Sequence, residues 1–339
     1  MQAFNLDRPE RLREHLAQTR RLYEVRDDGQ GGMHWQALDA GDSEVFDCPD
    51  EPPSFSVKSF FFAERELLFR FDGGQFLSAM PEVVAQVLFG VRACDLTAVA
   101  YQDRFFAGDA HYQARRRATL LVGVDCLHSC SGGFCSLLDS GPTVSAQVAD
   151  LILVPRQDAS RGWLLLVASQ AGGQALRGLR LVAAKCDWQA ERATNSRSVA
   201  SEQGAQRELV EGIETLNAGG IADARWEALG LRCLGCSGCT LVCPTCSCYA
   251  PLELPGDEEG VLHERVWDSC LYDGFQREAS GHNPSARPGQ RVQRFWTHKF
   301  GDAFKQGFER YGCVGCGRCD RVCPGGIGVH GVMHELSAR

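Results

Sequence analysis

The sequence lacks any apolar run long enough to cross a membrane. Its longest apolar stretches, such as VVAQVLFGV at 83–91, have the length of a strand. The N-terminal segment MQAFNLDRPERLREHLAQTRR also lacks the basic segment followed by an apolar core that defines a signal peptide. These absences predict a cytoplasmic protein without a membrane segment.

Positive charge is scarce as well. The 35 Lys and Arg residues against 43 Asp and Glu give a formal net charge of −8, which argues against a nucleic-acid or anionic-membrane binder. The motifs G-x-G-x-x-G, G-x-x-x-x-G-K-S/T and H-E-x-x-H are all missing, and no nucleophile is paired with a general base. We therefore expect no catalytic residue and no nicotinamide, flavin or nickel site in this chain.

Cysteine, by contrast, is abundant, with 17 residues. In a reducing compartment these thiols are expected to be metal ligands rather than disulfides. They form three groups, while Cys48 and Cys186 stand alone. The groups are Cys94, Cys126, Cys130 and Cys135; then Cys233, Cys236, Cys239, Cys243, Cys246, Cys248 and Cys270; then Cys313, Cys316, Cys319 and Cys323.

The second and third groups contain the same motif twice. CLGCSGCTLVCP at 233–244 and CVGCGRCDRVCP at 313–324 both follow the pattern C-x2-C-x2-C-x3-C-P, which indicates an internal duplication. In two-cluster ferredoxins the first three thiolates hold one [4Fe–4S] cube and the fourth reaches the neighbouring cube. The predicted ligand sets are Cys233, Cys236, Cys239 and Cys323 for one cube, and Cys313, Cys316, Cys319 and Cys243 for the other. Zinc is the alternative, because C-x2-C pairs also build zinc ribbons.

Three cysteines of the second group are left over. Cys246, Cys248 and Cys270 do not complete a further cube, so they are either free thiols or low-ranking alternate ligands. The sharper alternative is that Cys246 replaces Cys243 as a ligand.

A third cluster is predicted near the N-terminal group. Cys94 and Cys126 each follow a predicted strand, and ligands gather at the carboxyl ends of parallel strands. The loop DCLHSCSGGFC at 125–135 adds Cys130 and Cys135, and Arg92 is placed to offset cluster charge. Zinc or no metal are the alternatives, and His128 in this loop is interpreted as a surface or hydrogen-bonding residue.

The first 185 residues predict an α/β fold. A helix is expected from Asp7, with Glu10 completing a capping box. Strands at 83–91 and 119–125 flank helical segments and predict a parallel βαβ unit. Strands at 150–155 and 162–169 are interpreted as an antiparallel pair.

The predicted domain organisation has three parts. An α/β domain at 1–185, with the third cluster as an open question, is followed by a polar, helical linker at 186–230. A ferredoxin-like domain with two [4Fe–4S] clusters and a long insertion follows at 231–339. Within the insertion, 287–305 concentrates basic residues that are interpreted either as a solvated face or as a docking surface with donors to cluster sulfur. These basic residues are Arg287, Arg291, Arg294, His298, Lys299 and Lys305.

The sequence resembles a known family. FGVRACDLTAV, CPTCSC, WDSC, GHNP, HKF and CVGCGRCDRVCP occur in the order found in iron–sulfur β subunits of soluble cytosolic [NiFe] hydrogenases, the sulfhydrogenases. The A subunit of anaerobic sulfite reductase is similar, and the likeness runs from about Val83 to the end. The chain departs from the family at Ser247, where an aromatic residue is usual, and in the glycine-rich tail after Cys323.

The resemblance implies an electron-transfer subunit that uses the eight cysteines of the paired motifs as cluster ligands. Its implied partners are a flavin subunit that handles NAD(P)H and the small and large subunits of a hydrogenase. The alternatives are a sulfite reductase catalytic subunit as partner, or a free-standing ferredoxin-like carrier or iron–sulfur sensor. An enzyme with its site in the α/β domain is the remaining possibility.

Overall fold

Two β-sheets and their covering helices make up the computed structural model. It describes residues 1–39, 42, 44–46, 48, 50–256 and 260–338. The strands are β1 (Gln2–Leu6), β2 (Arg21–Asp27), β3 (Met33–Ala37), β4 (Arg65–Asp72), β5 (Gln75–Ser78), β6 (Gln86–Arg92), β7 (Thr119–Val124), β8 (Leu151–Pro155), β9 (Trp163–Val167), β10 (Val182–Ala183), β11 (Tyr249–Pro255) and β12 (Val261–Trp267). The helices are α1 (Pro9–Ala17), α2 (Lys58–Phe61), α3 (Ala93–Phe105), α4 (Ala110–Ala118), α5 (Gln170–Ala175), α6 (Trp188–Gln203), α7 (Arg207–Ala218), α8 (Asp223–Arg232), α9 (Gly238–Val242), α10 (Pro288–Phe300), α11 (Asp302–Phe308), α12 (Arg318–Val322) and α13 (Val329–Ser337). Within the described part of the chain, no helix combines the length and apolar character that crossing a bilayer requires.

The large sheet has a parallel centre. Its strand order is β10-β1-β9-β8-β7-β6-β2-β3, and β2, β6, β7 and β8 run parallel. The predicted βαβ unit is confirmed, because β6 and β7 are parallel neighbours joined through α3 and α4. The antiparallel pairing of β8 with β9 is confirmed too. Strand β6 begins at Gln86 rather than at the predicted Val83, because Val83 and Val84 are exposed to solvent.

Helix α1 begins later than predicted and is capped differently. Its first residue is Pro9, which suits a helix N-terminus because proline has no N–H to leave unpaired. The expected capping box is wrong, because the Glu10 carboxylate accepts a hydrogen bond from the Phe46 N–H instead. Leu12 and Leu16 are buried on one face of the helix.

The small sheet joins distant parts of the chain. Its order is β11-β12-β4-β5, so a hairpin from the insertion between the cysteine motifs pairs with strands at 65–78. The two parts predicted as separate domains therefore share a sheet. The boundaries at 185 and 231 stay predictions.

The segment between the two predicted domains is helical and packs on both of them. Helix α7 packs against α13, and α8 packs against α10, which places Trp226 in the core around the cysteine motifs. Helix α6 is tied to the large sheet, because Arg192 donates two hydrogen bonds to the buried Asp125 carboxylate. This segment therefore does more than connect domains.

A buried ion pair holds the second C-x2-C loop against the large sheet. The Arg318 guanidinium donates to both oxygens of Asp95 at 2.6 and 2.7 Å, and its Nε donates to the Pro53 carbonyl. Both side chains are about 1% exposed. Asp95 lies in the first turn of α3, so the pair joins residues 223 positions apart.

We expect Asp95→Asn to destabilise the chain by about 3–5 kcal/mol, because it leaves the buried Arg318 charge without its counterion. The measurement is the guanidinium midpoint of the anaerobic protein, followed by far-UV circular dichroism. Glu309→Gln is the matched control, since the Arg104–Glu309 pair is largely exposed and such pairs contribute little. Equal midpoints for the two variants would contradict this account.

Candidate iron–sulfur sites

The two C-x2-C-x2-C loops have the same backbone conformation. Gly235 and Ser237 in the first copy have φ of 63° and 60°, and Gly315 and Gly317 in the second have φ of 65° and 69°. In each copy a short helix follows at once, α9 in the first and α12 in the second. The duplication read from the sequence is therefore also a duplication of structure. Ser237 adopts a conformation that side chains rarely accept, which indicates that the loop geometry is required there.

The four cysteines predicted for the first cube line one cavity. Its other walls are mainly apolar, including Leu271, Phe295 and Trp296. The cysteines on this cavity are Cys233, Cys236, Cys239 and Cys323. Burial raises the pKa of the Cys239 thiol to about 12, and repulsion from Cys243 and the other three sulfurs adds to this.

Hydrogen-bond donors around the paired motifs fit a cluster. The Ile327 N–H points at the Cys323 sulfur at 3.4 Å, and the Gly315 N–H points at the Cys313 sulfur at the same distance. The buried Ser237 hydroxyl lines the first cavity and has no partner within the described protein atoms. Donors aimed at ligand sulfurs are how proteins support iron–sulfur clusters, so these residues fit the group.

The cysteines predicted for the second cube also lie together. Burial raises the pKa of the Cys313 thiol to about 12, and repulsion from Cys316 and Cys243 contributes. Burial followed by repulsion from neighbouring charges, Cys243 among them, likewise raises the pKa of Cys319. Cys243 of the first motif therefore lies near Cys313 and Cys319 of the second. Cys243 also raises the pKa of Cys239, so its assignment to the second cube stays a prediction. The four cysteines on the first cavity are called the first quartet, and the four predicted for the second cube the second quartet.

Lys299 contacts the sulfur of Cys243. Its Nζ lies 3.4 Å from the Cys243 Sγ and 2.8 Å from the Thr245 hydroxyl, and the side chain is buried. Burial alone would lower the Lys299 pKa, but attraction to Cys243 and Cys246 raises it well above its usual range. A second buried lysine, Lys58, donates to the Thr240 carbonyl and lies over the Trp267 ring.

The three leftover cysteines lie in the same region. A hydrogen bond from the Cys246 thiol, followed by the Lys299 charge, lowers the pKa of Cys243 well below its usual range. The other two thiols contact each other, and the hydrogen bond from Cys270 lowers the pKa of Cys248 to about 6. Their role as alternate ligands stays a prediction.

The N-terminal group surrounds Arg92. Burial would lower the pKa of this guanidinium, but attraction to Cys48, Cys126, Cys94 and Cys130 raises it on balance. Its two terminal nitrogens donate to the Asp50 and Glu51 carbonyls. The side chain therefore supplies fixed positive charge among the thiols, as the sequence suggested.

Cys48 also lies near the N-terminal cysteines, although the sequence analysis placed it outside the three groups. It lines the same cavity as Cys126 and Arg92. Burial is the largest cause of the raised pKa of Cys126, and repulsion from Cys48 adds to it. No spacing motif connects it to the loop at 125–135, so only the tertiary fold brings it close. His128 has an exposed side chain that lies 3.4 Å from the Glu202 carboxylate, in line with its interpretation as a surface residue.

Cys94 and Cys135 connect the N-terminal group, to which they belong, with the second quartet. Both are buried in one small cluster with Cys316. Burial and then repulsion from Asp95, Cys316 and Cys135 raise the pKa of Cys94. Cys135 also accepts a hydrogen bond from Gln203 of α6 at 3.3 Å. The three cysteine groups therefore form one continuous series rather than separate sites.

Among the described residues, no three His, Cys, Asp or Glu side chains converge closely enough to hold a single metal ion. A zinc ion draws four ligands around one point, whereas a cube distributes four thiolates over four irons. Metal content distinguishes the two.

The basic segment 287–305 is mostly used internally. Helix α10 turns Lys299 inward, and Arg291 donates to the Ser285 and Ala286 carbonyls and pairs with Asp273. Arg287 pairs with carboxylates on α8, while Lys305 is exposed. One donor to a cysteine sulfur is therefore present, and docking by this segment stays a prediction.

Known proteins share these features. A family model described as a 4Fe-4S dicluster domain matches residues 232–327. The chain is also 28% identical over 293 residues to sulfhydrogenase 2 subunit beta of Pyrococcus furiosus, and the match covers 82% of each protein. The predicted resemblance to iron–sulfur β subunits of hydrogenases is confirmed, and the C-terminal part of this mixed α/β chain matches a 4Fe-4S dicluster domain.

Proposed function

We propose that this chain is the electron-transfer subunit of a hydrogenase-type complex. It would relay single electrons between a flavin subunit that handles NAD(P)H and a [NiFe] hydrogenase module. Two observations support the proposal: Cys323 of the second motif lines the first cavity, and Cys243 of the first motif adds to the effect of burial in raising the pKa values of Cys313 and Cys319. When bound, [4Fe–4S] clusters supply one-electron transfer.

The chain's own residues would hold and insulate the clusters. Cys233, Cys236, Cys239 and Cys323 would bind one, and Cys313, Cys316, Cys319 and Cys243 the other. Cys94, Cys126, Cys130 and Cys135 would bind a third, with Cys48 beside them. The apolar walls of Phe295 and Trp296 would exclude water from the first site.

One end of this series reaches the surface. Cys236 is exposed, and the apolar side chains Leu231 and Leu234 beside it are 86% and 72% exposed. Exposed apolar residues grouped around a functional site are typical of a partner surface. We propose that a partner docks there, while the N-terminal group lies at the other end of the series.

Sulfite reductase as the catalytic partner and a free-standing carrier or sensor are the alternatives. Co-purifying subunits would separate them, since a hydrogenase small and large subunit are expected here. The cytoplasmic location predicted from the sequence belongs to the same proposal.

Iron content tests the number and kind of clusters. The anaerobically purified chain should contain about eight irons if the paired motifs fill, and about twelve if the N-terminal group fills too. Cys94→Ala should remove about four irons if that thiol is a ligand, and leave the count unchanged if it only packs between Cys135 and Cys316. Cys186→Ala is the matched control, because its sulfur accepts a hydrogen bond from Arg156 in another part of the fold. Stoichiometric zinc with little iron would refute the cluster assignment.

The ligand swap is tested in the same assay. Cys243→Ala should lose the cluster of the second quartet, whereas Cys246→Ala should retain both clusters of the paired motifs. The reverse result would make Cys246 the ligand.

Lys299→Met should lower the midpoint potential of one cluster, because it removes a buried positive charge 3.4 Å from the Cys243 sulfur. A hydrogen bond involving a charged group contributes about 1.5–3 kcal/mol. At about 59 mV per tenfold change for one electron, the shift should be on the order of 60 mV or more. The measurement is a potentiometric titration followed by electron paramagnetic resonance. Lys305→Met is the exposed control, and equal potentials for both variants would contradict the role of Lys299.

Reduction should depend on a partner. Because the sequence contains no recognisable nicotinamide or flavin motif, we expect that NAD(P)H does not reduce the isolated chain and that its cluster absorbance bleaches only after the flavin-bearing partner is added. Leu234→Glu should slow this bleaching on the order of tenfold if the exposed patch is the docking surface. Val182→Glu, an equally exposed apolar site on β10, is the control. Reduction of the isolated, flavin-free chain by NAD(P)H would refute the proposal.

A further inference from the structure

The two C-x2-C-x2-C loops carry different residues at the position that follows the second cysteine. This residue is Ser237 in the first loop and Gly317 in the second, with φ values of 60° and 69°. Glycine adopts positive φ freely, whereas a side chain makes this conformation strained. The first loop therefore carries a side chain at a position where the backbone favours glycine.

The packing around each loop explains the glycine but not the serine. A side chain at Gly317 would lie 2.6 Å from the Gly132 carbonyl oxygen of the N-terminal cysteine loop, so that position has no room for one. Ser237 instead lines the cavity of the first quartet, where the residue is 1% exposed. Glycine would avoid the strain at this position, so the serine indicates a role for the hydroxyl itself.

The Ser237 hydroxyl is buried and has no hydrogen-bond partner among the described protein atoms. A neighbouring hydroxyl, that of Thr240, is paired, because it lies 2.8 Å from the Ser237 carbonyl oxygen and 3.2 Å from the Ser269 hydroxyl. A buried hydroxyl without a partner costs free energy, and the large majority of such groups in native proteins are hydrogen-bonded. The partner of the Ser237 hydroxyl is therefore expected in the cavity.

The side chains that line this cavity point to sulfur as the acceptor. Apart from Ser237 itself, the four cysteines are the only lining residues, among those described, whose side chains accept hydrogen bonds. The other side chains on the cavity are aliphatic or aromatic, and none of them carries a charge. Ser237 follows Cys236 directly, so its hydroxyl belongs to the loop that would surround a cluster.

We propose that the Ser237 hydroxyl donates a hydrogen bond to the cluster held by the first quartet and thereby raises the reduction potential of that cluster. This inference rests on the proposed electron-transfer function. Reduction adds negative charge to the cluster, so a hydrogen-bond donor stabilises the reduced state more than the oxidised state. Ser237 would tune the cluster without being one of its ligands.

The second quartet has charged groups where the first has this hydroxyl. The Lys299 Nζ lies 3.4 Å from the Cys243 sulfur, and the buried Arg318 directly follows Gly317 in the second loop. The two clusters should therefore respond to different substitutions. Lys299→Met should shift the potential of one cluster, and loss of the Ser237 hydroxyl should shift the potential of the other.

The test is a potentiometric titration of the anaerobically purified full chain, followed by electron paramagnetic resonance. In Ser237→Ala and Ser237→Gly, the ratio of reduced to oxidised first cluster at a fixed potential should fall about threefold to tenfold. At about 59 mV per tenfold change for one electron, this is a shift of about 30–60 mV. Electron–nuclear double resonance in H₂O and D₂O should show the loss of one exchangeable proton coupled to that cluster.

The two substitutions separate the hydroxyl from the backbone strain. Alanine retains the strained backbone and glycine relieves it, so equal shifts in both variants would assign the effect to the hydroxyl. Ser269→Ala is the matched control, because the Ser269 hydroxyl is buried nearby but already lies within hydrogen-bond distance of Thr240. This control should leave the potentials and the exchangeable proton unchanged.

Several results would overturn the inference. These are unchanged potentials in both Ser237 variants, a shift in Ser237→Gly alone, or a shift of the same redox step that Lys299→Met shifts. Loss of about four irons in Ser237→Ala would make the serine a structural residue of the loop. A wild-type chain that lacks iron would refute the proposed function and this inference together, whereas full iron content with unchanged potentials would refute this inference alone.

Discussion

The contact between the second C-x2-C loop and the N-terminal cysteine loop is the constraint on which the other cysteine positions depend. The Gly315 carbonyl accepts a hydrogen bond from the Phe134 N–H at 2.8 Å, and a side chain at Gly315 would lie 2.7 Å from the Cys135 nitrogen. The buried Arg318–Asp95 pair fixes the same contact from the other side. Cysteines can bind a cluster together only when the surrounding residues hold them rigidly in place. The contact between these two loops therefore determines how far the cysteine groups lie from one another.

The buried cysteines lie beside buried, positively charged side chains. Arg92 lies among the N-terminal thiols, Arg318 beside Cys316, and Lys299 beside Cys243, and all three cations are buried. Buried anions are tolerable only when they are paired or hydrogen-bonded, so these cations are what permits thiolates at such depth. The first quartet lies nearer to water, since Cys236 is exposed. The series therefore runs from a charge-compensated interior to a solvated end.

The spacing of the cysteines in the sequence predicted those parts of the site that are formed by residues close together in the chain. The C-x2-C repeats fix two loops of identical conformation, and parallel pairing of β6 with β7 brings the segments after Arg92 and Val124 to one edge. Contacts between residues that are far apart in the sequence leave no spacing pattern, so the sequence analysis did not predict them. Lys58 donates to the Thr240 carbonyl from 182 positions away, and β4 pairs with β12 across the predicted domain boundary. Cys48 joins the N-terminal thiols for the same reason, through the tertiary fold alone.

The glycine-rich tail, where the sequence departs from the family that it resembles, is required for packing in the fold. A side chain at Gly325 would overlap the Arg232 carbonyl, and one at Gly328 would overlap the Asp320 carboxylate. Because both positions are glycine, the tail lies against the end of α8, where Arg232 donates to the Gly325 and Gly326 carbonyls. That contact holds Cys323 on the cavity of Cys233, Cys236 and Cys239, so the tail delivers the fourth thiol of the first quartet from the far end of the chain.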